Sequence, residues 1–271
     1  MASSNGTTIA AKLGEILLFA GTAAAFIAWS KRSSGISTKY SLSKALQDGT
    51  SLNAKERVCT VDENNVPLAG GHNRSEMRLK RLWHRATYVI VLHSNAGKNN
   101  QEESKEEPCV LVQRRSSQKD YCPGKLDPTP GGVVGFGESY LHNATRELQE
   151  EMGIDITSDG SPHTLKRLFT FPYQDNDVKV WGEFYEVTYC GTIEDLVLQE
   201  EEVESLERMS MTELQRRISE KPDDFMPDSV HALKLYFQRK EDDRLKRRLL
   251  KGYSSGNLDD YKLRPRPKVR T

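Results

Sequence analysis

A group of acidic residues in the middle of the chain has the spacing that a divalent-metal site needs. Glu147, Glu150 and Glu151 stand at positions i, i+3 and i+4, so a helix would bring their carboxylates onto one face. Carboxylates crowded on one surface repel one another unless a cation neutralises them. Oxygen ligands of this kind suit Mg²⁺ or Mn²⁺, which are commonly shared with substrate phosphates. The alternative for such a group is an acidic helix face that water solvates.

The flanking residues predict the helix that this spacing requires. The segment turns helical from about Ser139, and Gly153 can adopt the left-handed conformation that ends a helix. Apolar residues recur at intervals of three and four and are expected to form one buried face: Leu141, Ala144, Leu148 and Met152. The glutamates would then lie on a different face from the core-facing side chains.

The stretch from Gly132 to Ile154 carries a longer pattern, in which Gly132 is followed by Glu138 and then by the run REUxEExGU from Arg146 onwards, where U is aliphatic. This pattern, G-x5-E-x7-REUxEExGU, resembles the Nudix box of the Nudix hydrolases, and every defining position matches. The resemblance implies an α+β protein with the Nudix fold, an α/β/α sandwich around a mixed sheet. It also implies hydrolysis of a diphosphate linkage with Mg²⁺ or Mn²⁺.

The same resemblance assigns roles to residues of the box. Glu147, Glu150 and Glu151 would be metal ligands, and the carbonyl of Gly131 would be a further, backbone ligand. Arg146 would orient the glutamates by a charge-assisted hydrogen bond. Catalytic roles fall to Glu150, Arg146 and Glu138, and Glu138 would support the geometry between the loop and the helix.

The identity of the general base stays open at this point. It would be a glutamate of the box or one from a later loop, and an acidic run offers Glu200, Glu201, Glu202 and Glu204. Taken alone, that run is more typical of a solvated surface.

Outside the box, the chain resembles the branch of the family related to isopentenyl-diphosphate isomerase. The matching stretches are residues 61–63, 82–87, 111–115, 123–127 and 225–229. An isomerase of this kind needs a cysteine just before the box, but residues 126–134 hold neither cysteine nor histidine. Gly131 falls where the cysteine would be, Cys122 comes too early, and Glu183 and Glu186 are only an approximate match to the isomerase's later glutamates. We therefore expect a hydrolase on an isomerase-like frame, with the isomerase and a non-catalytic nucleotide-sensing module as alternatives.

The remaining sequence divides around one predicted domain at residues 58–239. Four strands are predicted. A β-rich run at residues 84–92 has a partner strand at 109–115, and apolar and polar residues alternate at 165–173 and 178–189, with a turn at 174–177. Residues 59–68 are expected to form two short strands around an Asn-rich turn. Helices are expected within 74–83, at 212–218 and at 229–238. Six aromatic residues are candidates for stacking on a base: Trp83, Tyr121, Phe136, Phe171, Tyr173 and Trp181.

The N-terminal residues 1–32 contain a hydrophobic segment, and residues 33–57 are a polar linker. Residues 16–30 carry no charge, a run shorter than the roughly 20 residues of a full membrane span. We expect a membrane anchor, with Lys31 and Arg32 keeping the catalytic domain in the cytosol. A cleaved targeting peptide for a plastid, mitochondrion or the endoplasmic reticulum, and a buried helix, are the alternatives.

The C-terminal residues 240–271 form a basic tail on a chain whose overall charge is balanced. The 271 residues include 39 basic and 39 acidic ones, so composition gives no general argument for nucleic acid. The tail would contact anionic lipid or RNA, or be a solvated extension. The four cysteines are far apart, which indicates reduced thiols rather than disulfides or a zinc site.

Overall fold

A mixed β-sheet is the centre of the part of the chain that the structure describes. The structure is a computed structural model, and it describes residues 55–94, 107–158, 161 and 163–254. In chain order the strands are β1 (Arg57–Val58), β2 (His72–Asn73), β3 (Trp83–His93), β4 (Cys109–Arg115), β5 (Leu126–Asp127), β6 (Lys166–Gln174), β7 (Lys179–Tyr189) and β8 (Val203–Ser210). The helices are α1 (Arg74–Leu79), α2 (Tyr140–Met152), α3 (Met211–Glu220) and α4 (Pro227–Ser254).

The sheet is built on a long parallel pair. β3 and β7 pair in parallel over their whole length, and β6 adds to β7 as an antiparallel hairpin. On the other side β4 pairs with β3 antiparallel at Leu92 and His93, and β4 also pairs with β5 and β8. Parallel and antiparallel pairs in one sheet confirm the predicted mixed sheet.

Alternate residues of the central strands face two separate layers of helices. Tyr88 and Ile90 pack with residues of α3 and α4, whereas Val89 and Val91 pack with residues of α2. This is the period-two alternation of a strand that is buried on both faces. The predicted α/β/α sandwich is therefore confirmed.

Most of the predicted elements agree with the structure to within a few residues. The four long strands and the turn between β6 and β7 are confirmed. The two short strands expected in residues 59–68 were wrong, because this stretch forms isolated bridges such as Val61 with Pro67. The turn between them is confirmed, and Asp62 stabilises it by accepting from the backbone N–H groups of Asn64 and Val66.

Two elements differ from expectation near the end of the domain. β8 was not predicted, and it begins inside the acidic run that looked like solvated surface: Glu204 lies in the strand, and Glu200, Glu201 and Glu202 precede it. α4 is longer than the expected helix and continues past residue 239 to Ser254, so the first part of the basic tail is helical.

The terminal predictions concern residues of which little is described. In the ranges that the structure describes, none of the helices combines the length and apolar character that a membrane crossing requires. The predicted anchor or targeting segment at residues 1–32, the linker up to residue 54 and the proline-containing end of the tail lie outside the described residues. These remain predictions.

Candidate metal and phosphate site

The loop before α2 lies against β3, on the edge that β4 leaves open. The backbone N–H of Val89 donates to the carbonyl of Pro130 at 2.9 Å, and the N–H of Thr87 donates to the carbonyl of Gly132 at 2.9 Å. These bonds satisfy backbone donors of β3 that β4 does not reach, since β4 pairs with β3 only at Leu92 and His93. The loop is thereby fixed beside the start of the box.

Two consecutive glycines allow this close approach. A Cβ on Gly131 would lie 2.2 Å from the carbonyl oxygen of Thr87, and the φ angle of Gly131 is +153°. A Cβ on Gly132 would lie 2.1 Å from Oε1 of Glu147. Neither position can carry a side chain without displacing β3 or the glutamate.

The box helix α2 begins and ends as its sequence predicts. The Ser139 hydroxyl accepts a hydrogen bond from the backbone N–H of His142 at 3.1 Å, which caps the helix. Gly153 ends the helix in the left-handed conformation, with φ at 69°. These two residues set the length of the helix and hence the rotation of its glutamates.

The apolar face of α2 matches the prediction at three of its four positions. Ala144, Leu148 and Met152 are buried against the sheet. The prediction was wrong for Leu141, whose residue surface is 55% exposed. Tyr140 takes the packing position in the first turn and donates its hydroxyl to the carbonyl of Trp181 at 3.1 Å.

Three carboxylates converge at the open edge of the sheet. Glu147, Glu151 and Glu202 each offer an oxygen, and these three oxygens lie within 4.8 Å of one another. Glu147 and Glu151 are buried, and Glu202 is only partly accessible. Glu202 comes from the residues before β8, and its carbonyl accepts from the backbone N–H of Ser116 at 2.9 Å.

This three-carboxylate group differs in one member from the set of metal ligands that the resemblance to the Nudix box implied. Glu147 and Glu151 are brought together as expected, but Glu150 lies outside the group. The Glu150 side chain is 49% exposed and binds Nη1 of Arg146 at 2.7 Å. Glu202 is the third member of the group; the sequence had offered it as a candidate general base, within a run more typical of solvated surface.

The environment of the trio opposes its charge. Burial, followed by the charge of Glu151, raises the pKa of Glu147, and burial raises the pKa of Glu151 as well. For Glu202, burial acts in the same direction, but the Lys119 ammonium outweighs it and lowers the pKa of that carboxyl. Two buried carboxylates are costly to ionise unless a partner neutralises them, and a bound cation would supply that partner.

Polar contacts hold Glu151 but leave one of its oxygens available. Gln113 donates from Nε2 to Oε2 of Glu151 at 3.1 Å, and the backbone N–H of Gly131 donates to the same oxygen at 3.3 Å. Oε1 is buried and accepts no hydrogen bond from the described residues, although Nζ of Lys119 lies 3.5 Å away. An all-oxygen donor set with an unused buried oxygen fits Mg²⁺ or Mn²⁺.

Arg146 links the box residues into one network. Its Nε donates to Oε1 of Glu138 at 3.1 Å, and its Nη2 donates to Oε1 of Glu147 at 3.0 Å. Glu138 in turn accepts from the backbone N–H of Gly135 at 2.8 Å, which ties the loop to the helix. Burial opposes ionisation of Glu138, but its bonds from Arg146 and Gly135 outweigh this and lower its pKa.

A single cavity joins these acids to a set of basic side chains. Glu147, Glu150 and Glu202 line it together with Gly131, and so do five cations: Arg74, Arg78, Arg115, Lys119 and Arg146. Of the six aromatic residues considered for base stacking, Tyr121 lines this cavity. Cations beside a carboxylate group give the cavity both partners that a metal-bound phosphate compound needs.

Comparison with known proteins identifies the family. The family model described as the NUDIX domain matches residues 83–229, more than half of the chain. The chain belongs to the Nudix hydrolase family. An uncharacterized Nudix hydrolase of Yersinia pestis is 40% identical over 184 residues, which are 68% of this chain and 87% of that protein. The uncharacterized Nudix hydrolase YfcD of Escherichia coli K12 is 37% identical over 188 residues, which are 69% of this chain and 90% of that protein.

Similar solved structures include a protein of lower sequence identity. DR0079 from Deinococcus radiodurans is 22% identical, with a TM-score of 0.47 over 61% of this chain and 90% of that one. The family membership makes this protein a Nudix-type enzyme that hydrolyses diphosphate linkages, and Nudix enzymes generally depend on a divalent metal. Its closer likeness to the isomerase branch stays a prediction.

The features that an isomerase would need are absent from the cavity wall of this Nudix domain. Position 131 cannot hold a cysteine, because any Cβ there meets the Thr87 carbonyl. Cys122 is buried, and this burial raises the pKa of its thiol to about 12. Glu183 binds Tyr185 and Arg167, and Glu186 binds Tyr236. All of this argues against proton exchange with an alkene in this site.

Proposed function

We propose that this Nudix enzyme hydrolyses a diphosphate linkage in a nucleoside-diphosphate compound or a related diphosphate ester. The observation that carries the proposal is the convergence of Glu147, Glu151 and Glu202 within 4.8 Å. Glu147 and Glu202 also line a cavity that contains basic side chains. A solvated acidic surface does not bury two of its carboxylates, nor does it bury a carboxylate oxygen that accepts no hydrogen bond from the described residues.

The trio would hold Mg²⁺ or Mn²⁺, and the carbonyl of Gly131 remains the proposed backbone ligand. A bound divalent ion would screen the charge of the diphosphate and make water a better nucleophile. Arg115 and Lys119 would attract the phosphate groups, since both line the cavity beside the trio. Arg115 also binds the carbonyl of Tyr121 through Nε and Nη2, which fixes its guanidinium.

Glu150 is the residue to which we assign the general-base role. Its carboxylate lines the cavity but stays outside the trio, so it is not committed to the cation. Arg146 holds it through one oxygen at 2.7 Å and holds Glu147 at the same time. Arg146 would therefore keep the base and one metal ligand in a fixed relation.

The test is hydrolysis by the full chain with Mg²⁺ and a panel of diphosphate compounds, which includes ADP-ribose, a dinucleoside polyphosphate, coenzyme A and isopentenyl diphosphate. We expect cleavage of at least one compound, and we expect Glu150→Gln to lower kcat by about 10²–10⁴-fold, the usual contribution of a general base. The matched control is Glu201→Gln, which changes an exposed glutamate next to Glu202 and should leave the rate unchanged.

Two other outcomes would each support a different function. Isomerised product from isopentenyl diphosphate would favour the isomerase despite the glycine at position 131. Tight binding of a compound that is never cleaved would favour a sensing module.

A further inference from the structure

Another carboxylate in the cavity wall, that of Asp228, has a hydrogen-bond partner for only one of its two oxygens among the described residues. Asp228 lies in the first turn of α4, and its residue surface is 6% exposed. Its Oδ2 accepts a hydrogen bond from the hydroxyl of Tyr88 at 2.9 Å. Its Oδ1 is buried and has no hydrogen-bond partner in the described part of the chain, yet Asp228 lines the cavity.

The unpaired oxygen of Asp228 is an acceptor at neutral pH. Burial, followed by the charge of Asp127, raises the pKa of Asp228 to about 6. Above that pH the group is ionised and can only accept hydrogen bonds. Native proteins rarely leave such an atom buried and unsatisfied, so a ligand that brings a donor to it is favoured.

The neighbouring wall suits the non-phosphate part of a small molecule. Val178, Val180 and Met226 supply apolar surface, and Tyr121 supplies a buried hydroxyl that also lacks a hydrogen-bond partner. Ligand sites commonly combine a mainly apolar wall with a few polar groups that fix orientation. Asp228 takes no part in the three-carboxylate group, so it is free for this purpose.

We propose that Oδ1 of Asp228 accepts a hydrogen bond from a hydroxyl or amino group on the non-phosphate part of the substrate. This proposal rests on the proposed function, because the phosphates are taken to bind beside Lys119 and Arg115. It selects substrates with a donor group at that position and disfavours diphosphates whose remainder is only hydrocarbon, since those leave the carboxylate unpaired.

The conservative variant Asp228→Asn reverses the hydrogen-bond character of this position. The hydroxyl of Tyr88 donates to one oxygen of Asp228, so an amide would turn its carbonyl towards Tyr88. The amide NH₂ would then face the ligand. A ligand ammonium group would meet a second donor, and a ligand hydroxyl could only accept a neutral hydrogen bond, which is weaker than its charge-assisted bond to a carboxylate. The affinity of a ligand that has no donor group at this position would not fall.

The experiment uses a pair of ligands that differ by one hydroxyl: dimethylallyl diphosphate and its 4-hydroxy derivative. Binding of each to the full chain with Mg²⁺ is measured by calorimetry, and released phosphate is followed in parallel. We expect the hydroxylated compound to bind the unchanged protein at least 10-fold more tightly. We expect Asp228→Asn to reduce that preference to less than about 3-fold, while the Kd of dimethylallyl diphosphate itself changes less than 3-fold. Asp224→Asn, at an exposed aspartate four residues earlier, is the control.

The results separate this proposal from the proposed function. Equal binding of the two compounds to the unchanged protein, or an equal loss for both in Asp228→Asn, would overturn the role of Asp228 even if diphosphates are cleaved. Selective binding of the hydroxylated compound that Asp228→Asn reduces to less than about 3-fold would support it. Should no diphosphate be hydrolysed while this selectivity is found, the catalytic proposal fails and the binding proposal stands.

Discussion

The ammonium nitrogen of Lys119 lies 3.5 Å from Oε1 of Glu151 and also contacts the carboxylate of Glu202. The lysine comes from the turn after β4, while the two glutamates come from α2 and from the residues before β8. Its charge is thus placed between two acids from distant parts of the chain, where it offsets part of their repulsion. A divalent cation bound to the same oxygens would take over that task.

Replacing this lysine should therefore destabilise the protein mainly when no metal is present. We expect Lys119→Met to lower the free energy of unfolding by about 3 kcal/mol in chelator, since it leaves two largely buried carboxylates uncompensated. Saturating Mg²⁺ or Mn²⁺ should reduce that loss. Urea denaturation with and without metal measures both values.

The control is Lys80→Met, which breaks an exposed pair between Lys80 and Glu76 and should change stability by less than about 1 kcal/mol. If Lys119→Met lowered the free energy of unfolding equally with and without metal, the lysine and the cation would not offset the same carboxylate charges.

Glu202 should be required for metal binding although it lies about 50 residues beyond the box. We expect Glu202→Gln to raise the metal concentration needed for half-maximal activity by 10-fold or more, because a neutral amide is a weaker ligand than a carboxylate. The metal-induced rise in Tm should shrink in parallel. Glu201→Gln, at the adjacent exposed position, should alter neither quantity. If both variants behave alike, Glu202 is not part of the site.

The local half of this site could be predicted from sequence, because its signals are local. Ser139 and Gly153 mark the ends of α2, and the spacing of Glu147 and Glu151 on that helix puts them on one face. Leu141 shows the limit of the periodicity argument. It has the right spacing, but it lies in the first turn, where Tyr140 fills the space above the sheet.

The other half depends on strand pairing between distant residues. Glu202 reaches the site because β8 pairs with β4, from Cys109 opposite Ser210 to Arg115 opposite Val203. β8 has few apolar residues and only Val203 and Met209 are buried, so its sequence does not resemble a core strand. Neither the strand nor its register is encoded by spacing within one segment, and Lys119 and Gln113 were missed for the same reason.

The glycine at position 131 should be intolerant of any side chain. We expect Gly131→Ala to destabilise the protein by about 2–4 kcal/mol and to abolish activity, because its Cβ would lie 2.2 Å from the Thr87 carbonyl. Gly137→Ala is the matched control, since Gly137 also has a positive φ, +84°, but nothing lies within 4 Å of its Cβ position.

Gly137→Ala should be destabilised only by the strain of a left-handed backbone, which costs roughly 1 kcal/mol. Thermal unfolding and activity of the two variants distinguish a steric requirement from a conformational one. Equal losses in both would contradict the close contact with β3, and with it the argument that position 131 has no room for the cysteine of an isomerase.

Asp228 should make the protein less stable at neutral pH than it would be with a neutral residue. The pKa of the carboxyl rises from 3.8 to about 6 on folding, through burial and then the nearby charge of Asp127, while Tyr88 and Arg115 act in the opposite direction. Between these two values the folded state binds more protons than the unfolded state, so this contribution to stability falls as the pH rises from about 4 to about 6.

Asp228→Asn removes that pH-dependent penalty. At pH 7 we expect the variant to be more stable by up to about 3 kcal/mol, the free energy that corresponds to the shift, and at pH 4 the difference should nearly vanish. Urea denaturation from pH 4 to pH 8, without ligand, measures the difference. A stability gain that is the same at both ends of this range would mean that the aspartate is ionised as easily in the folded state as in the unfolded one. A stabilised variant whose preference for a hydroxyl-bearing ligand is reduced would show that Asp228 is retained for binding at the expense of stability, as expected of a functional rather than a structural carboxylate.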